Sequence, residues 1–295
     1  MDATRQGRLG APPSRRAGGG LRAAEDLGPH VPAPHRTPRP WASPAPTLLL
    51  IAHGSRDPRH AATVDALVSR LRALRPGLDV ATAYLDHCAP RIPQVVGRLA
   101  ETRTEAVAVP LLLGRAFHAK HDIPAALRAA GSAVPVAGVL GPSPLLLDAL
   151  DRRLAEAGLE VASTAARART GVVLAAAGSS DPAANAATRA LAAAWRRSRG
   201  WAAVEVAHAS AAPPHVPDAV AALRAHPAVD RVAVAPYLLA PGLLPDRITE
   251  AASTAGADLI ADVLGPAPEI ARLLLARYDR TRTSTASAGP AVLTA

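Results

Sequence analysis

Ile51-Ala52-His53-Gly54-Ser55-Arg56-Asp57-Pro58 returns 124 residues later as Ala175-Ala176-Ala177-Gly178-Ser179-Ser180-Asp181-Pro182. The frame of Gly, Ser and Asp-Pro is kept, while His53 and Arg56 become Ala177 and Ser180. The same offset carries Ala83-Tyr84-Leu85-Asp86 through Pro93 onto Ala207 through Pro217, and Val139-Leu140-Gly141-Pro142 onto Val263-Leu264-Gly265-Pro266. Three blocks in one register identify an internal repeat. Leu48 to Ala52 is an apolar run with the character of a strand buried on both faces. Asp57 and Pro58 then supply a helix cap and a first-turn proline, and Val64, Leu67, Val68, Leu71 and Leu74 recur at helical spacing until Pro76-Gly77.

Outward from this stretch, strands are predicted at about 79–85, 105–111 and 134–139, with helices at about 91–102, from Ile123, and from Ser143 to Ala157. The copy repeats the pattern, with strands at about 171–176, 202–207, 230–236 and 258–263 and a last helix at about 268–279. The fold class is α/β: two similar doubly wound parallel-sheet domains related by the repeat. The boundaries read as a disordered extension over 1–45, an active domain over 46–158, a linker over 159–170, a degenerate repeat over 171–280 and a disordered tail over 281–295.

At 295 residues the chain suits about two domains of roughly 100 to 150 residues. No apolar run approaches the roughly 20 residues of a membrane span, and the Arg-, Pro- and Gly-rich start lacks the apolar stretch of a signal peptide, so a cytoplasmic protein without membrane partners is expected. Cys88 is the single cysteine, which excludes an intramolecular disulfide and a multi-cysteine metal cluster within one chain. The net charge of +9 is inflated by seven Arg in the first 45 residues, and aromatics make up 2% of the chain, which leaves no stacking platform for nucleic acid.

In such sheets ligands bind beyond the carboxyl ends of the strands. His53 ends the first strand, Asp86 and His87 end the second, and His118 lies in the long loop after the third. Two imidazoles and a carboxylate form an N/O set suited to a borderline divalent ion with open coordination positions. The same imidazoles could instead accept protons, and the sequence leaves both roles open. The copy offers Ala177, Ser210 and an apolar Leu243-Leu244 region at these points. His60 reads as solvent-facing, His87 and His121 stay outside the site, and His208, His215 and His226 read as structural.

Leu50 through Pro58, Tyr84-Leu85-Asp86, Val109-Pro110-Leu111-Leu112-Leu113, His118 and Asp122-Ile123-Pro124 together resemble the sirohydrochlorin chelatases of the CbiX/SirB type, in their two-domain tandem form. The resemblance, from about 47 to 280, implies the chelatase-like fold, with metal and tetrapyrrole meeting in a cleft between the halves. It implies a metal chelatase, a lyase that inserts Fe2+ or Co2+ into sirohydrochlorin for siroheme or cobalamin synthesis. By that resemblance His53 and His118 are the metal-binding, catalytic histidines. Asp86 takes the carboxylate place where the family usually has Glu, and Gly114-Arg115-Ala116-Phe117-His118 departs from the family's usual pair of glycines. No cofactor is expected to be permanently bound; Co2+, Fe2+ or Ni2+ enters as substrate. The acidic rim of the tetrapyrrole would be met by Arg56, Arg115 and Lys120 and by the backbone N–H groups of Gly54 and Ser55. A monomer is expected because the tandem repeat supplies both halves. Two other readings are a metal or tetrapyrrole carrier without turnover and a phosphatase-type hydrolase; the latter lacks the Arg ahead of the His, where Ala52 stands.

Overall fold

The computed structural model describes residues 45–114 and 121–287. The extension over 1–44, the loop residues Arg115, His118 and Lys120, and the end of the tail over 288–295 lie outside the described residues.

The apolar run forms β1 (Thr47–Ala52), buried along its whole length at the centre of a parallel sheet. It is flanked by β2 (Val80–Tyr84) and β3 (Ala106–Pro110), with Ile51 opposite both Ala83 and Pro110. The helices of this half are α1 (Pro58–Leu74), α2 (Ile92–Glu101), α3 (Ile123–Ala129) and α4 (Pro144–Glu156). The Asp57 carboxylate accepts the Arg59 N–H at 2.9 Å and so caps α1. After α5 (Thr164–Ala168) the second half repeats the order as β4 (Thr170–Ala176), α6 (Pro182–Arg199), β5 (Ala203–His208), α7 (Val216–Arg224), β6 (Arg231–Tyr237), α8 (Leu243–Thr254), β7 (Leu259–Ile260) and α9 (Pro268–Ser287). The sheet orders are β2-β1-β3 and β5-β4-β6-β7.

Strand alternation sorts the core. Leu48, Leu50 and Ala52 on β1 and Val172, Leu174 and Ala176 on β4 enter one apolar cluster with α1, α4, α6 and α9. Leu49 and Ile51 face α2 and α3, while Val173 and Ala175 face α7 and α8. Helices therefore cover both faces of each sheet, and the central helical layer belongs to both halves. Within it the last helix of each repeat crosses over: α4 packs on β6, and α9 packs on α1 and β3. The halves thus share this central cluster while each keeps a smaller one on the outer face of its own sheet, and both repeats fall in one compact unit.

Matched polar contacts fix this crossover. Arg153 of α4 donates to the Leu264 carbonyl at 3.0 Å, and Arg277 of α9, 124 residues later, donates to the Leu140 carbonyl at 2.8 Å. Arg75 at the end of α1 pairs with Asp279 of α9 at 2.6 and 2.7 Å. Arg199 at the end of α6 pairs with Asp151 of α4 at 2.6 Å, and Trp195 donates to the same carboxylate at 2.8 Å. Burial pushes the Asp151 carboxyl above the usual carboxylate range despite these two bonds. Arg153→Ala and Arg277→Ala should each lower stability by about 1 to 3 kcal/mol, the range for losing a charged hydrogen bond and leaving a carbonyl unmet. Urea melts should show this as a lower midpoint in a single transition, since the core is shared. Two resolved transitions, one per repeat, would contradict a common core.

Three expectations need correction. The fourth strand predicted at about 134–139 is reduced to one bridge, Ala108 to Val136, because Pro135 has no N–H to donate and only its carbonyl joins, to the Ala108 N–H at 2.9 Å. The segment 159–170 is not a plain linker: Ser163 caps α5 by accepting the Ala166 N–H at 3.1 Å, and β4 begins at Thr170. The expected tail from 281 is helical to Ser287, and within it the hydroxyls of Thr281, Thr283 and Thr285 turn back onto the carbonyls of Arg277, Asp279 and Thr281 at 3.0 to 3.1 Å.

Candidate functional site

His53 leaves β1 at its carboxyl end, and the next residue allows the neighbouring loop to close over it. Gly54 has φ of +92°, and a Cβ there would sit 1.8 Å from the Asp86 carbonyl oxygen. The strand pairing runs on past β1 and β2 through Leu85 N–H to Ala52 O at 3.0 Å and Asp86 N–H to His53 O at 2.8 Å. Cys88 closes the junction: its thiol donates to the Ser55 carbonyl at 3.1 Å, and the Ser55 N–H points at its sulfur at 3.5 Å. Two βα loops are thereby held as one unit at the sheet edge.

The half-buried ring of His53 and the exposed ring of His87 lie nearly parallel on that edge, 6.5 Å between centroids and 15° between planes. Asp86, the expected carboxylate ligand, is exposed and makes contacts of its own within the protein. One carboxylate oxygen accepts the His87 N–H at 2.8 Å and meets Arg91 at 2.8 Å, and the other lies 3.4 Å from His87 Nε2. The His87 N–H, then Arg91, hold its pKa below the usual carboxylate range. Arg91, which sequence reasoning passed over, also donates to the Leu85 carbonyl at 2.6 Å.

His60, expected to face solvent, is half-buried, 6.4 Å from the Tyr84 ring between centroids, and its Nδ1 is buried without a hydrogen bond. Burial, then the charge of His53, holds it below the usual imidazole range. The apolar side of α1 against β2 draws its ring inward. The Ser55 N–H, expected to meet a substrate carboxylate, is directed at Cys88 because the thiol fills the space in front of it. Gly54 is buried and Arg56 is exposed on the same loop. His118, Arg115 and Lys120 lie outside the described residues, in the segment that leaves the carboxyl end of β3 after Gly114. Among the described residues no three His, Cys, Asp or Glu side chains are placed to hold one ion together.

The second half reproduces this frame without its chemistry. Gly178 has φ of +85°, and a Cβ there would lie 2.1 Å from the Ser210 carbonyl; Ser210 N–H donates to Ala177 O at 3.1 Å. The left-handed His87, φ 60°, matches Ala211, φ 66°. His208 is buried, with Nδ1 against the carbonyls of Ala212 and Pro213 at 3.2 and 3.3 Å, and His215 Nδ1 lies 3.2 Å from the His208 carbonyl. Both are therefore tied into their own loop.

The loop after β6 faces the first-half loops. A Cβ on Gly242 would stand 4.0 Å from Ser55 Oγ, and Arg59 bridges Asp57 and Asp246, each at 2.6 Å. The buried Tyr237 hydroxyl would lie 3.0 Å from a Cβ on Gly141. The second half thus meets the first-half loop that follows His53 at Ser55, Asp57 and Arg59. No helix among the described residues is long and apolar enough to cross a membrane.

Comparison with known proteins follows this division into two copies. The CbiX family model matches residues 47–157 and again 171–281. The chain is 28% identical over 240 residues to a sirohydrochlorin ferrochelatase of Priestia megaterium, spanning 77% of this chain and 87% of that protein. It is 34% identical over 80 residues to a sirohydrochlorin cobaltochelatase of Methanothermobacter thermautotrophicus, spanning 26% of this chain and 54% of that one. Among solved structures, SirB from Bacillus subtilis with Fe3+ superposes with a TM-score of 0.71 at 21% identity, covering 82% of this chain and 98% of that one, a likeness of fold. With the family's model accounting for both repeats and most of the residues between Thr47 and Thr281, the chain belongs to the CbiX family.

Proposed function

We propose that this chain is a metal chelatase that inserts Fe2+ or Co2+ into sirohydrochlorin. The observation that carries the reading is the asymmetry of the two family copies: a shared loop frame bears imidazoles and a carboxylate at the strand ends of the first copy and Ala, Ser and Ala in the second. Both relatives are named for metallation of sirohydrochlorin, one with iron and one with cobalt, which supports the reaction and leaves the metal open. His and carboxylate sites bind several first-row ions in an order set largely by the metal, and Ni2+ belongs in the same trial.

Insertion releases two pyrrole protons for each divalent ion taken up, and the ion must shed water ligands to reach the ring nitrogens. His53 and His118 would hold the ion on one face of the macrocycle and accept those protons as metal–nitrogen bonds form. The acidic side chains of sirohydrochlorin would be met by Arg56, Arg115 and Lys120, by the Gly54 N–H and by Ser55 through its hydroxyl. The second repeat would serve as the opposite wall. Since one chain carries both walls, we propose a monomer, acting in the cytoplasm.

The test is to follow the absorbance of sirohydrochlorin with Fe2+, Co2+ and Ni2+ and to count product per chain. An enzyme goes on producing metallated ring well beyond one equivalent; a carrier stops at one, and that plateau would overturn the proposal.

A further inference from the structure

We infer that the free edge of β2 is a docking strip for an extended acidic segment of a partner protein, which joins the first sheet as an added strand. The inference goes beyond the chelatase reading and draws on none of the residues proposed for insertion.

β2 is the outer strand of its sheet, bonded to β1 on one side only. In a parallel ladder alternate residues turn both main-chain groups to the same side. The Asp79 carbonyl and the Leu85 N–H bond to β1, so Val80, Thr82 and Tyr84 turn theirs outward. The ends of that row are already met. The Val80 carbonyl accepts from Arg72 at 3.2 Å, and the Tyr84 N–H donates to the Pro90 carbonyl at 2.9 Å. Between them, among the described residues, nothing bonds the Thr82 N–H or carbonyl.

A groove of about 580 Å³ runs along this row, within the range of about 300 to 1,000 Å³ for ligand pockets. Helices α1 and α2 line it from opposite faces of the sheet, with Val68 and Arg72 on one wall and Val95 and Arg98 on the other. The two Arg outnumber Asp65 among its lining residues. Side chains of an added strand alternate between faces, so two neighbouring acids would each meet one Arg while apolar neighbours pack on the valines. A second copy of the same edge would set Arg against Arg, and residues 1–45, with seven Arg against Asp2, Glu25 and Asp26, have the wrong charge for the groove. The other repeat closes this route. β5 is its matching outer strand, yet Glu205 stands exposed at the place of Ala81, and Ala222 replaces Arg98. A charge on an edge strand keeps stray strands away, and the first repeat leaves this guard out.

The test uses the full chain and a fluorescent blocked hexapeptide of Val and Thr with two adjacent Glu at its centre, read by anisotropy and by amide exchange. The peptide should bind and slow exchange of the Thr82 amide. Replacing its Glu pair with Lys, or N-methylating its amides, should weaken binding at least about tenfold. Ala81→Glu, which copies the other repeat, and Arg98→Glu should do the same while sparing the thermal melt and metal insertion. No binding at about 1 mM peptide, equal binding of the Lys or methylated peptide, or unchanged affinity in both variants would overturn the inference. So would displacement by succinate at matching concentration, which marks a small-anion site, and self-association abolished by Ala81→Glu, which marks a face between copies.

Discussion

His53→Ala is expected to slow metal insertion into sirohydrochlorin by about 10²- to 10⁴-fold, the span for removing a positioned proton-transfer group. The loss should be of this order because one imidazole is proposed to serve twice, holding the ion and taking a pyrrole proton. The fold should survive: the ring is half-buried at a strand end, and the His53 backbone bond to Asp86 does not depend on its side chain. A thermal melt close to wild type, with Co2+ affinity reduced, would assign the loss to the site. His208→Ala is the informative counterpart. That ring is buried and bonded to its own loop, so its removal should cost stability and leave insertion per folded molecule nearly intact. The opposite pattern, with insertion lost in His208→Ala and kept in His53→Ala, would reverse the assignment of the halves.

Gly54→Ala should be the most damaging single change outside the imidazoles. A methyl group 1.8 Å from the Asp86 carbonyl cannot be accommodated by rotating a side chain, because the obstacle is backbone. The φ of +92° adds strain for any residue with a Cβ. Together these should cost about 2 to 6 kcal/mol, taking about 1 to 3 for the backbone strain and about 1 to 3 for overpacking. The two loops must part, so insertion by the surviving folded fraction should also fall. Gly178→Ala separates these effects, since it meets the Ser210 carbonyl at 2.1 Å with φ of +85°. It should lower the urea midpoint comparably and spare insertion per folded molecule. Equal loss of activity in both variants would mean that the loop junction of the first repeat has no special part in the reaction.

Much of the architecture was legible because it is written locally. An apolar run such as Leu48 to Ala52, followed by Asp57-Pro58 and helical spacing to Leu71, specifies a buried strand and the helix after it, and the 124-residue offset doubles the reading. The crossover of α4 and α9 was not legible, since periodicity tells which face of a helix is apolar but not which sheet will cover it. Nor was the helical end of α9: a Thr- and Ser-rich segment reads as a tail until its hydroxyls are seen bonding to carbonyls one turn back. In the site, His53 and Asp86 could be found from strand ends and from their loss in the copy. His87 likewise stands opposite Ala211, and the left-handed backbone the two positions share is something no composition reveals. The engagement of Asp86 by Arg91 was hidden for a related reason, as it depends on how the turn between them folds.

The crossed helices suggest how one chain came to hold two copies with unlike loop residues. If α9 were to complete an identical neighbour rather than the first repeat, two half-length chains would build the same body as a symmetric pair with two equivalent sites. Fusing such a pair end to end makes the partner permanent, so one copy can shed its histidines while its surface is still required. The second repeat would then be retained for the helix it lends, and deleting it would strip α1 and β3 of their cover.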